Sequence, residues 1–368
     1  MCTSIIFKKS KKGPQLSARS LDFFFEINTN LAVKKAGDEF GNYAIASLAY
    51  KKTKFLFDGM NEEGLAISAL WFPTTQYPEI DNIPEGKTVV QVTSAVDFIL
   101  SNYNGVKDLH KDLGPEGNVV ITFDEKRASA EIKEFVKQAG GQLPLHFSVV
   151  DKSGNKMAIE FFQGKTQLYT NFDNDEHSVE FKGMLTNNPT YPYQIDNLSK
   201  YARLDCVNNP GGSNGSGLYG VPGDASPMSR FVTGSKMIGA AMFPTSEEKL
   251  ASHSEFYKTM TPEERKAIIC QNTTMQCLRL LQTCVVPIGS VLEAEEPNVY
   301  EQWSVGDYSQ WSIVRNHEER RLYFQHFNNP TMYCYDFKGK PEKTDWYKKL
   351  TEKMTVSYNE LSSVIEFH

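Results

Sequence analysis

The residue of this chain best equipped for chemistry is its second. Cys2 becomes the terminal residue once Met1 is removed, and a thiol and a free α-amine then share one residue. Such an amine titrates at about 7.7–8.0, so a useful fraction is neutral and basic at physiological pH. It can act as the base for the nucleophile on its own residue. Arg19 and Asp22, in the run ARSLDF, would lie near Cys2 if the first two β-prone runs pair as a hairpin. The guanidinium would favour thiolate, and the carboxylate would hold the amine. The same two residues also read as an ion pair on the surface at a hairpin end.

Other constellations carry less. GSGLYG at 215–220 has the form G-x-G-x-x-G, but no strand precedes it and no helix opens at its end, so it reads as a Gly-rich loop. The seven histidines form no H-x-x-x-H pattern and no Cys/His cluster, and there is no C-x-x-C. A Ser-His-Asp arrangement has no G-x-S-x-G to support it. Neither a metal nor an organic cofactor is expected. Cys270, Cys277 and Cys284 are spaced seven apart and read as buried packing on one helix face.

The elements that must place Cys2 are strands. Residues 3–7 and 16–19 flank the polar turn KKSKKGP and read as a hairpin. Strands are expected at 31–35, 44–50, 55–58, 65–70, 119–123, 146–150, 156–162 and 167–170, with a helix over 90–103. A helix is expected over 229–242. Another runs from Thr261, the N-cap, through Pro262 and Glu264 to about Cys284, with the residues of a capping box. Strand-like runs at 300–305, 310–314, 321–326 and 332–336 follow, and 208–220 is the most loop-like stretch. Strands, then helices, then strands with no long linker suit one α+β domain over residues 2–368.

Composition narrows the class. A chain of 368 residues can bury a sizeable core. A net charge of −6 leaves no basic excess for phosphate contacts, so no nucleic-acid partner is expected. No run of 18 apolar residues exists, so no membrane span is expected. The N-terminus has a five-residue apolar core followed by lysines, the wrong order for a secretory signal. As written, the chain is expected in the cytoplasm; a processed mature form would be periplasmic or secreted.

Five motifs in order then point to a family. MCTS, RSLDF, DGMNEEGLAIS at 58–68, LTNNPTY at 185–191 and GVPGDASPMSRF at 220–231 resemble the choloylglycine hydrolase family, the bile salt hydrolases and penicillin V acylases. PLHFSVVD at 144–151 and IEFFQGK at 159–165 resemble its central strand pair, while the last 130 residues are only loosely alike. The resemblance implies the αββα sandwich of N-terminal nucleophile hydrolases, two stacked antiparallel sheets flanked by helices. It implies Cys2 as nucleophile, contacted by Arg19 and Asp22. It implies Asn187 as the side-chain donor of an oxyanion hole, the backbone N–H of Trp71 as the second donor, and Arg230 as the active-site arginine.

The implied reaction is hydrolysis of a non-peptide amide joining a bulky apolar acyl group to a small polar amine, as in conjugated bile salts or penicillin V. Phe23, Phe24, Trp71 and Phe72 would supply apolar walls, though all four also read as core. Trp71 stands where many bile salt hydrolases have Asn, and it is more like the branch that includes penicillin V acylases, bile salt hydrolases and acyl-homoserine-lactone acylases, the last an alternative activity. A homo-oligomer, dimer or tetramer, is implied, although residues 191–219 differ from the insertion that builds tetramers. A non-catalytic binder of amphipathic ligands would not need a thiol. A ceramidase-like amidase would need a long segment before the Cys, and only Met1 is there.

Overall fold

The structure is a computed structural model. It describes residues 2–7, 14–37, 42–173, 178–202, 220–240, 258–294, 303–329, 331–338 and 347–349. The expected loop at 208–220, including GSGLYG, lies outside the described residues except for Gly220, as do Cys206 and the side chain of Cys270.

Two antiparallel sheets hold the fold together. The first has six strands, in the order Met184–Leu185, β1 (Cys2–Ile6), β2 (Leu16–Phe23), Tyr308–Asn316, Arg321–His326 and Tyr333–Asp336. The second has eight. Lys165–Thr170, Lys156–Phe162 and Leu145–Val150 are followed by β6 (Ala66–Trp71), β5 (Leu56–Asn61), β4 (Ile45–Tyr50), β3 (Thr29–Lys34) and Tyr347–Lys349. Strands β1 to β6 are uniformly buried except at Trp71, because each is covered on both faces. One face of each sheet meets the other sheet; helices cover the outer faces. Helix Ala95–Asn102 packs on β5 and β6, while Pro227–Ala240 and Pro262–Gln282 pack on the first sheet. This is the expected αββα sandwich.

Two glycines make close approaches possible. A Cβ on Gly59 of β5 would come within 2.8 Å of Leu100 on the covering helix and 2.9 Å of Ser47 on the next strand. Gly64 turns the chain between β5 and β6 at φ +84°, and its Cβ would stand 2.5 Å from the carbonyl oxygen of His317.

The expected hairpin is present, with Cys2 opposite Leu21 and Ser4 opposite Arg19. The capping box is complete: Glu264 N donates to Thr261 Oγ1, and Thr261 N donates to Glu264 Oε2. That helix ends at Gln282, so Cys284 lies in the turn beyond it; Cys277 and Cys284 are both buried. The expected helix over 90–103 is shorter. Thr88–Gln91 pairs as a parallel strand with Val119–Thr122, because Val89 and Val90 suit a pleated surface, and the α-helix begins only at Ala95. Helices Val106–Leu113, Ala130–Gln138 and Tyr191–Ser199 were not foreseen.

Candidate active site

The site begins at the first residue of β1. Strand alternation puts Cys2 and Ser4 on the face toward the second sheet, together with Leu21 and Arg19 opposite them. Arg19 sits diagonally from Cys2, and its Nη2 reaches Cys2 Sγ at 3.4 Å and the Ala69 carbonyl oxygen at 2.5 Å. Its guanidinium lies over the Trp311 ring, 4.7 Å from the centroid. Cys2 is 1 % exposed.

The opposite face of β1 carries Thr3, and the next residue of β2 past Leu21 is Asp22. Helix Pro227–Ala240 presents Arg230 to both. Its Nη1 donates to the Cys2 carbonyl oxygen at 2.8 Å and to Thr3 Oγ1 at 2.5 Å, and stands 3.5 Å from Asp22 Oδ2. Ser309 donates its hydroxyl to Asp22 Oδ1 and accepts from the Val286 N–H. Arg230 and Asp22 are both buried, so each needs the other's charge and these polar partners.

Asn187 follows the short edge strand Met184–Leu185. Its Oδ1 accepts from Cys2 N at 2.8 Å and from Arg230 Nη2 at 2.9 Å. Its Nδ2 donates to the Trp71 carbonyl oxygen at 2.6 Å. Phe72 N donates to the Pro144 oxygen, so alternation turns the Trp71 N–H the other way, to the side on which Asn187 meets its carbonyl.

The segment around Asn187 is braced from behind by residues that sequence reasoning missed. His146 Nε2 donates to the Thr186 carbonyl oxygen at 2.8 Å, and its Nδ1 stands 3.4 Å from Glu160 Oε1. Glu160 in turn accepts from Tyr191 N at 3.1 Å. A His and a Glu inside mostly apolar, buried strands were the available signal.

The aromatic residues divide. Phe23 stacks on Phe24 at 5.0 Å and meets the Trp71 ring edge-on at 5.3 Å. Phe24 is 38 % exposed and Trp71 partly so, which makes an apolar surface beside Cys2. Beneath it the buried Phe23 packs on Phe25 and on Phe135, the latter 1 % exposed and on an unforeseen helix. Phe72 is not part of this surface. It is fully buried and stacked on His146 at 4.6 Å, because it points to the other face of its strand.

Among the described residues no group of three His, Cys, Asp or Glu could hold a metal ion, and no helix is long and apolar enough to cross a membrane. The arrangement brings Cys2, Arg19, Asp22, Asn187, Arg230 and the Trp71 backbone together from four separate parts of the sequence.

Comparison with known proteins gives the family. The bile salt hydrolase/transferase of Clostridium perfringens is 27 % identical over 254 residues, 63 % of this chain and 70 % of that protein. That of Lactiplantibacillus plantarum is 25 % identical over 296 residues, 74 % of this chain and 82 % of the relative. The penicillin V acylase of Pectobacterium atrosepticum is 27 % identical over 200 residues, about half of each chain (49 % and 47 %). A crystal structure of a variant of the Clostridium perfringens conjugated bile acid hydrolase superposes with TM-score 0.68 at 20 % identity, covering 97 % of this chain and 99 % of that one. The penicillin V acylase structure from Agrobacterium tumefaciens gives 0.64 at 19 %, covering 92 % and 86 %. Residues 2–340 match the family of linear amide C–N hydrolases called the choloylglycine hydrolase family, and the chain belongs to it as a hydrolase of linear amides.

Proposed function

We propose that this hydrolase uses Cys2 as its nucleophile on an amide that joins a bulky apolar acyl group to a small polar amine. The observation that carries the reading is the position of Cys2, with its sulfur 3.4 Å from Arg19 and its nitrogen 2.8 Å from Asn187 Oδ1. Once Met1 is gone, that nitrogen is the α-amine. The neutral amine takes the thiol proton as sulfur attacks the carbonyl carbon, and it then gives that proton to the leaving amine as the C–N bond breaks. Water then attacks the thioester carbonyl and gives a proton to the same amine; the C–S bond breaks, the acid leaves, and the amine returns the proton to the departing sulfur. Asn187 Nδ2 and the Trp71 N–H hold the oxyanion, where charge develops in the transition state. Arg230 and Asp22 fix the backbone of Cys2.

The exposed faces of Phe24 and Trp71, backed by the buried Phe23, suit the acyl group. Conjugated bile acids and penicillin V, the substrates named for the relatives, both have this form. A hydrolysis panel of glycocholate, taurocholate, penicillin V and acyl-homoserine lactones tests the reading, with wild type set beside Cys2→Ser. Turnover of a bile conjugate or penicillin V by wild type, with most activity lost in the folded Ser variant, is expected. Turnover by Cys2→Ser within about threefold of wild type, less than the tenfold that about 1.4 kcal/mol represents, would remove Cys2 as nucleophile. Turnover of acyl-homoserine lactones alone would redirect the substrate.

A further inference from the structure

A second charged group lies behind the site, between the sheets. Arg19 on β2 and Arg315 on the neighbouring strand are diagonal neighbours, since Arg19 is opposite Ile313. Both face Asp58 on β5, and all three are at most 1 % exposed. Arg315 Nη2 is 3.2 Å from Asp58 Oδ2 and donates to Ser68 Oγ at 3.0 Å; Ser68 donates to the same Oδ2 at 2.6 Å. Arg19 Nε is farther from that oxygen, at 4.0 Å, while its Nη2 points to Cys2 Sγ. Two buried guanidiniums thus share one carboxylate. At least one positive charge is left over, and an uncompensated buried charge is costly. The sulfur of Cys2, 3.4 Å from Arg19 Nη2, is a site where a second negative charge would meet it.

We infer that Arg315 is a positioning residue for the nucleophile: by engaging the Asp58 carboxylate, it keeps the charge of Arg19 available to the Cys2 sulfur. The inference rests on the reading of Cys2 as nucleophile. Without Arg315, Asp58 has only Arg19 to pair with, and the guanidinium is drawn from the sulfur. Without the charge of Asp58, Arg19 serves the sulfur alone. The two changes should therefore act in opposite directions, which loss of packing would not do. The other charged or titratable groups around Cys2 are its own amine, Asp22 on β2, Arg230 on the helix outside, His146 and Glu160 behind Asn187, and Cys284 beside the Arg230 carbonyl. These variants leave all of them in place.

The test is the rate of iodoacetamide alkylation at Cys2 of the full chain without Met1, followed by mass spectrometry from pH 5 to pH 10. Arg315→Met should slow alkylation at neutral pH on the order of tenfold and move the midpoint of the curve up by about one pH unit. Arg315→Lys, which keeps the charge, should stay within about threefold of wild type, well under the tenfold of a full pH unit. Asp58→Asn should speed alkylation and move the midpoint down. If Arg315→Met does not fold, the Lys and Asn variants still decide. Asp58→Asn that slows alkylation, or Arg315→Met with an unchanged curve, would overturn the inference. Alkylation is read without turnover, so failure here is distinct from failure of the nucleophile reading, which Cys2→Ser turnover reports.

Discussion

Asn187 is the residue on which the site turns, because its oxygen and nitrogen face different partners. The oxygen holds Cys2 N and Arg230, and the amide nitrogen meets the Trp71 carbonyl. Asn187→Ala should lower kcat on the order of 10²–10³ and change KM less, as expected for a donor aimed at the oxyanion. A turn-forming role before Pro189 would instead lower Tm and leave kcat per folded molecule near normal; measuring both separates the two. The cysteines give a second check. Burial pushes the Cys277 thiol up and the Cys284 thiol up to about 11. Both are held as unreactive thiols near pH 7.5, so limited iodoacetamide should label Cys2 and spare these two, as peptide mapping would report.

Among the elements, the first hairpin was the most legible, because its register needs only a turn and two short apolar runs. From that register alone Arg19 falls beside Cys2. Arg315 was not legible as a partner, since it meets Asp58 only when two sheets stack across 257 positions of sequence. A hint was present all the same: Trp311, Ile313 and Arg315 alternate on one face of a buried strand, and an arginine there has no solvent to reach. Helix Ala130–Gln138 carries the signal in short form: Ile132, Phe135 and Val136 stand at i, i+3 and i+4 behind the N-cap Ser129, but nine residues fall short of the window in which such spacing stands out. Phe72 reads as a wall residue beside Trp71, but strand alternation sends consecutive side chains to opposite faces, and it is buried against His146. Helix Pro262–Gln282 was legible through its capping box. Thr261→Ala should cost about 1 kcal/mol, seen as a lower urea midpoint with unchanged slope, because one orphan helix N–H loses its acceptor.

Among the described residues burial pushes a set of tyrosines and cysteines to the alkaline side. Burial raises Tyr77, Tyr103, Tyr169, Tyr191, Cys277 and Cys284, and it takes Tyr335 up to about 12. Each is higher folded than unfolded, so its contribution is complete below the unfolded value and is lost as pH rises through the folded one. Tm should be steady to about pH 8.5 and fall steeply from there toward pH 11, the range in which unfolded Cys and Tyr ionise. A flat Tm to pH 11 would mean these groups ionise without unfolding the chain.

The place of Cys2 at the head of an inner strand also makes the molecule a natural latch. Its carbonyl is gripped by Arg230 and its nitrogen by Asn187. Anything joined ahead of Cys2 must leave through that grip and turns the amine into an amide. A fusion with a removable leader should fold yet stay silent, and it should switch on when a protease cuts just before Cys2. Activity would then count cutting events one molecule at a time, so a chain of this design could serve as a reporter for the protease. A fusion that is fully active uncut would show that the amine can be dispensed with.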